Sequence, residues 1–210
     1  MPADVGLIQQ DSGQVEWYTP AAIINAARRV MGDIDLDPAS SAAANRRVGA
    51  SVYFDRAADG LSRPWAGRVW LNPPFSENSA FIARLMAEYD AGHVEQACVI
   101  TFASLDTAWA RRLMAFPRWY PVGRVAYIPG WEQREAGQPG LPGLATAVTP
   151  WEAVSTADAP PKASMVTYIG PDDRVPAFVV EFTQLGGQVD VPWAFHERRL
   201  GAFPAPERGR

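Results

Sequence analysis

Val69-Trp70-Leu71-Asn72-Pro73-Pro74-Phe75 is a short apolar run that ends in an asparagine and two prolines. It reads as a strand delivering a stiff turn, because each proline locks its φ and removes a backbone donor. Downstream, Ser79 to Tyr89 places Phe81, Ile82, Leu85 and Met86 at helical spacing, and Gly92 stops the pattern. Ala97-Cys98-Val99-Ile100-Thr101-Phe102 follows. It is nearly all apolar, as expected of a parallel strand covered on both faces. Strand, turn, helix and strand in that order form the repeating unit of an α/β sheet, so this stretch decides the fold class.

The same alternation extends outward. Thr19 to Val30 reads as a helix with Thr19 as N-cap, Pro20 at the first helical position, and Ile23, Ala26, Ala27 and Val30 on one face. Gly32 ends it, and Asp33 to Asp37 reads as a short strand closing on a carboxylate and a proline. Ser40 to Arg47 suggests a helical turn, and Thr107 to Phe116 a helix on Trp109, Leu113 and Phe116. Further strands are expected near Val125 to Ile128, Ser164 to Ile169 and Phe178 to Phe182. The expected architecture is a Rossmann-like α/β sheet with helices on both faces. Its length of 210 residues fits a single domain over 1–210. Residues 129–162, rich in Pro, Gly and Ala with Trp131 and Trp151, interrupt the alternation, and a loop of that length inside a domain is usually functional. Residues 1–14 and 202–210 read as mobile tails.

Composition narrows the function classes. Net charge is −4, which argues against a protein that coats nucleic acid non-specifically but permits a local basic face. Of the 19 cations, Lys162 is the lone lysine and the rest are arginine. The start, MPADVGLIQQDSGQ, has neither the basic flank nor the apolar run of a signal peptide, and nothing approaches a membrane span. One cysteine, Cys98, lies within the apolar strand and reads as a core thiol, so a reducing cytoplasm is the expected location. One Cys and two His (His93, His196) cannot build the usual zinc cluster, and no metal is expected.

The chemistry is carried by Asn72-Pro73-Pro74-Phe75. The pattern [DNS]-P-P-[YFW] at the carboxyl end of a strand is the signature of methyl transfer to an exocyclic amino group. Such a nitrogen is a poor nucleophile while its lone pair is delocalised into the ring. The Asn72 carboxamide oxygen and the Pro73 carbonyl are the acceptors that would draw on its N–H bonds and favour a tetrahedral, nucleophilic nitrogen. Pro74 completes the rigid turn, and Phe75 offers a flat face to the target base, a contact worth roughly 1–3 kcal/mol.

With further segments in order, the sequence resembles the phage-type, Dam-like DNA N6-adenine methyltransferases. The segments are Glu16-Trp17-Tyr18-Thr19-Pro20, Asp35-Leu36-Asp37-Pro38-Ala39-Ser40, Asp59-Gly60-Leu61 with Trp65 and Gly67, and Val69 through Ser76. The resemblance covers about residues 16–185 and implies S-adenosyl-L-methionine as cofactor and DNA as partner, with the target adenine flipped out of the duplex. It implies donor contacts from Trp17, Tyr18, Thr19 and Pro20, from Asp35 or Asp37 with Pro38 and Ala39, and from Asp59. Asp37 competes with Asp35 to hold the donor's amino group or a ribose hydroxyl. Target recognition is expected after the catalytic core, in 129–162, with Arg118, Arg124, Arg134 and Lys162 as phosphate contacts. A phage origin implies the bacterial host cytoplasm, and a restriction-modification role stays open. The loop after Asp37 has small residues but no glycine, unlike many methyltransferases.

Cytosine N4 and a protein glutamine amide present the same NH2 on a planar carbon, so the motif alone leaves both acceptors open. A non-catalytic DNA-binding protein of the same fold is the reading from another class. It predicts damaged donor or catalytic positions, whereas Asp37, Asn72 and Pro73 are intact.

Overall fold

The computed structural model describes residues 17–125, 127–129, 163–193 and 195. The expected tails, nearly all of the 129–162 segment, Arg134 and Lys162 lie outside them.

Seven strands form one mixed sheet in the order β3-β2-β4-β5-β8-β6-β9. They are β2 (Leu36–Asp37), β3 (Val52–Tyr53), β4 (Gly67–Leu71), β5 (Val94–Phe102), β6 (Arg118–Tyr120), β8 (Ser164–Ile169) and β9 (Gln188–Asp190). The pairs β3–β2, β2–β4 and β4–β5 are parallel, while β8 runs antiparallel to both β5 and β6. A separate antiparallel pair joins β1 (Trp17–Tyr18) to β7 (Ile128–Pro129). Among the described residues the sheet is accompanied by the helices α1 (Ala21–Met31), α2 (Ala42–Val48), α3 (Asn78–Asp90), α4 (Ala108–Leu113) and α5 (Val175–Thr183).

The strict alternation along β5 divides the core. Cys98 and Ile100 join a cluster with α1 and α5, through Ile23, Ala27, Val30, Phe178 and Phe182. Ala97 and Val99 join a second cluster with α3 and α4, through Phe81, Ile82, Leu85 and Leu113. Helices therefore cover both faces, which is why β5 is apolar at almost every position. Cys98 is fully buried, and burial pushes its thiol far above the ordinary range, so it is inert packing.

Several expectations need correction. Phe178 to Phe182 is not a strand. It lies within α5, whose Pro176 sits in the first turn and whose Phe178 and Phe182, four apart, share the buried face. Of the described residues among Val125 to Ile128, Ile128 alone is in a strand, and that strand is outside the main sheet. Thr19 does not cap α1; Pro20 occupies the cap position with extended ψ, and the helix begins at Ala21. β5 has a parallel neighbour on one side and an antiparallel one on the other. The strands β3, β6 and β9 have no signal of their own, being two or three residues long.

The chain leaves β2 through α2 to β3 on one side, and leaves β4 through α3 to β5 on the other. The connections thus diverge between β2 and β4. In open α/β sheets this switch point, at the carboxyl ends of the strands, is where ligands bind.

Candidate active site

A cavity of about 390 Å³ opens at that switch point. Its walls come from the loops after both diverging strands, with Asp37, Pro38, Ala39, Ser40 and Ser41 on one side and Asn72, Pro73, Pro74, Phe75, Ser76 and Glu77 on the other. Tyr18 and Thr19 contribute from the entry to α1, and Phe54, Asp55, Arg56, Asp59 and Gly60 from the segment after β3.

Asp37 ends β2 and is only 2% exposed. Its Oδ1 accepts from the Ala39 amide at 3.3 Å, and no cation pairs with it among the described residues. Burial raises its pKa to about 7, against the opposing pull of Ser40 and the Ala39 amide. A buried carboxyl without a counter-charge is costly to ionise, and a cation placed beside it would offset that cost.

Asp59-Gly60 is more than a surface turn. Asp59 has φ +51°, the lone non-glycine with positive φ among the described residues. Gly60 presses onto the loop after Asp37: a Cβ there would fall 1.9 Å from the Pro38 carbonyl oxygen. The Trp65 indole donates to the Gly60 carbonyl at 2.7 Å and pins the turn from below. Backbone held in an uncommon conformation beside a cavity is often part of its design.

Asn72 follows β4 directly. Its Nδ2 donates to Thr19 Oγ1 at 3.4 Å, so the two segments flanking the cavity orient one carboxamide. Pro73 is buried and Pro74 exposed. The turn is closed by Glu77 N–H donating to the Pro74 carbonyl at 2.9 Å, and by the Asn78 side chain donating to the Phe75 carbonyl at 3.1 Å. Phe75 lines the cavity half-buried, and its ring stacks on Phe102 with centroids 3.8 Å apart and planes at 26°. Tyr127 meets it edge-on at 6.5 Å.

The residues expected at the site therefore divide. Tyr18, Thr19, Asp37, Pro38, Ala39, Asp59, Asn72, Pro73, Pro74 and Phe75 line one cavity. Pro20 caps α1 outside it, and the Trp17 backbone pairs with Pro129 in β1–β7. Asp35 does not line the cavity, and its carboxylate is taken by Arg68: Nε and Nη2 each donate at 2.7 Å, and the Arg68 amide at 2.8 Å. That pairing holds Asp35 below the usual carboxylate range and removes it as a donor ligand. Arg118 is likewise corrected: it is 5% exposed inside β6 and paired with Asp190, so it cannot meet a phosphate. Arg124 is exposed.

Sequence inspection passed over Asp55 and Arg56. They follow β3, whose Val52 and Tyr53 are exposed and give no burial pattern. A usable signal was spacing. An acidic residue after the second strand, about twenty residues past the first, is the usual ribose contact of this topology, and Asp55 stands there relative to Asp37.

A family model for DNA N-6-adenine-methyltransferase (Dam) matches residues 9–175. No curated protein and no solved structure matches the chain. With most of its length matched, the chain belongs to this family of DNA N6-adenine methyltransferases.

Proposed function

We propose that this member of the family transfers a methyl group from S-adenosyl-L-methionine to N6 of an adenine flipped out of DNA, on a Rossmann-like methyltransferase sheet. One observation carries the reading: a buried, uncompensated Asp37 carboxyl faces the Asn72-Pro73-Pro74-Phe75 turn across a single cavity. The donor is cationic at its amino group and at its sulfur, which suits a cavity whose ionisable wall includes Asp37, Asp55, Asp59 and Glu77.

When bound, the donor supplies an electrophilic methyl group on a positively charged sulfur. Asp37 is read as the ligand of its amino group, because a desolvated carboxylate gains most from a full positive charge. Asp55, exposed at the end of β3, is read as the ribose contact. Gly60 lets the Asp59 turn close on Pro38 and shapes the wall between them.

Phe75 receives the flipped base on its cavity side, a step that costs a few kcal/mol of unstacking. Thr19 holds the Asn72 amide nitrogen, directing the carboxamide oxygen toward the adenine amino group. The Pro73 carbonyl accepts the second N–H. Positive charge would grow on N6 as it takes the methyl group, both acceptors would then bind more strongly than in the ground state, and the methylated nitrogen would pass one proton to solvent water. No general base of tuned pKa is needed before attack.

Purified protein incubated with unmethylated DNA and tritium-labelled donor, followed by nucleoside digestion and mass spectrometry, tests this directly. N6-methyldeoxyadenosine is the expected product. N4-methyldeoxycytidine would replace the acceptor while keeping the site. Donor binding without any nucleoside product would turn the reading toward a protein glutamine, and absence of donor binding toward a non-catalytic DNA-binding protein.

A further inference from the structure

The described arginines other than Arg47 fall into two groups. Several are tied to acidic side chains: Arg28 to Asp33, Arg29 to Glu181, Arg68 to Asp35, Arg84 to Glu88 and Arg118 to Asp190. Arg63 and Arg111 donate to the Ala58 and Asp106 carbonyls. Arg46, Arg56, Arg112, Arg124 and Arg174 are exposed, and their guanidinium groups have no hydrogen-bond or ion-pair partner among the described residues.

Three of these five stand on the edge of the sheet that carries the cavity. Arg56 follows the carboxyl end of β3 and lines the cavity rim. Arg112 lies on α4, which follows the carboxyl end of β5. Arg124 follows β6, which runs parallel to β5 because both are antiparallel to β8. In the strand order, β3 is on one side of β4 and its Asn72 turn, while β5 and β6 are on the other. At about 4.8 Å per strand, β3 and β5 are roughly 14 Å apart, so the arginines bracket the turn at the scale of a few nucleotides.

Arg112 also belongs to a built feature. With Trp109, Ala108, Ser79 and Ala83 it lines a cleft of about 210 Å³ between α3 and α4. Ser79 is in the first turn of α3, immediately after the Asn72 to Glu77 turn. The cleft joins a cation, a hydroxyl and a flat indole wall beside the point where a flipped nucleotide must leave its strand. An arginine with an adjoining hydroxyl and aromatic surface is chemistry suited to a sugar–phosphate backbone.

We propose that the α3–α4 cleft with Arg112, continued by Arg124 and answered by Arg56 across the cavity, is the track that holds the DNA backbone on both sides of the flipped nucleotide. This rests on the methyltransferase reading above and assigns the phosphate contacts that a chain of net charge −4 must concentrate on one face. Of the acidic residues of that edge, Asp55, Asp59 and Glu77 line the cavity meant for a cationic donor, and Asp106 stands between β5 and α4.

The test is the salt dependence of DNA binding in the full chain, with Arg112→Ala, Arg56→Ala and Arg112→Lys, and Arg174→Ala as the control from the opposite edge. Each lost phosphate contact should reduce the slope of log K against log salt by about one, equivalent to about three- to fourfold less loss of affinity between 50 and 200 mM. The loss at low salt should be equal for target and non-target DNA. Arg112→Lys should retain most of the slope, because it keeps the charge. Wild-type slopes in both alanine variants, in a protein that still methylates DNA, would overturn the track and leave the activity standing. A slope that falls as far in Arg174→Ala would overturn it too, as would loss confined to the target sequence. Absence of methylation by the wild-type chain would strike the underlying reading instead.

Discussion

Replacing Asp37 with asparagine should stabilise the protein while disabling its donor site, and the two effects have one cause. The Asp37 carboxyl is 2% exposed, and burial moves its pKa from 3.8 to about 7. At 1.36 kcal/mol per pH unit, keeping it ionised in the folded chain costs roughly 4 kcal/mol. The sign follows from proton binding. Below pH 3.8 the group is protonated in both states and costs nothing. Between about 4 and 7 the unfolded chain has released a proton that the folded chain keeps, so stability falls as pH rises. Above about 7 the whole cost is present. Asparagine has nearly the same shape, and its Oδ1 can still accept from the Ala39 amide, so the variant escapes the cost without leaving a cavity.

Denaturant melts should therefore find Asp37→Asn about 2–4 kcal/mol more stable than wild type at pH 8, with the difference vanishing near pH 4. Donor affinity should move the other way. Leaving the ammonium without its carboxylate should weaken binding at least about a hundredfold. In the wild type, donor affinity should fall about tenfold per pH unit below 7 as the carboxyl protonates. Calorimetry over the same pH range reads this. A difference in stability that does not change with pH, or donor binding that survives the substitution, would refute the reasoning, because both rest on one uncompensated buried charge.

Asn72→Ala should reduce single-turnover methyl transfer by a hundredfold or more, on the order expected for a transition-state acceptor, with donor affinity kept within about twofold. Gly60→Ala should cost about 2–4 kcal/mol in a denaturant melt and weaken the donor, since its Cβ would fall 1.9 Å from the Pro38 carbonyl oxygen. Asp35→Asn, by contrast, should change stability by about 1 kcal/mol or less, since its pair with Arg68 is partly exposed, and should leave donor affinity alone. Phe75→Ala should abolish the fluorescence change of 2-aminopurine at the target position before it affects the donor, as read in a stopped-flow trace.

The elements legible in the residues are those whose burial is periodic or complete. β5 from Ala97 onward and β8 are buried at every position and mostly apolar because helices or packed side chains cover them, and α1 and α3 show one apolar stripe each. The misread segment, Phe178 to Phe182, is apolar on nearly every side: Val179 and Val180 join Glu181 between its buried phenylalanines, and Ala177 precedes them. A short run of that kind carries no period, and strand and helix look alike in it. The strands β3, β6 and β9 are too short for any period and exist through their neighbours in the sheet. The antiparallel insertion of β8 between β5 and β6 is a property of the chain path, which local patterns do not encode.

For the candidate site, the limit is different. Residue type and motif order point to Asp37, Asp59 and Asn72 to Phe75, because each ends a strand or makes a turn that glycine or proline marks. Type alone cannot tell a charge that is spent from one that is available. Asp35 and Asp37 are two residues apart and equally acidic, yet Asp35 precedes β2 and pairs with Arg68, while Asp37 ends β2 and is buried at the cavity. Arg118 and Arg124 divide in the same way: Asp190, 72 residues later in sequence, neutralises the first, and the second stays open to solvent. The partner that decides such a case is remote in the chain, so the functional cations and anions emerge only when the pairs are known. Once the paired groups are set aside, buried Asp37 and exposed Arg56, Arg112 and Arg124 remain on the carboxyl edge, together with Asp55, Asp59 and Glu77 around the cavity.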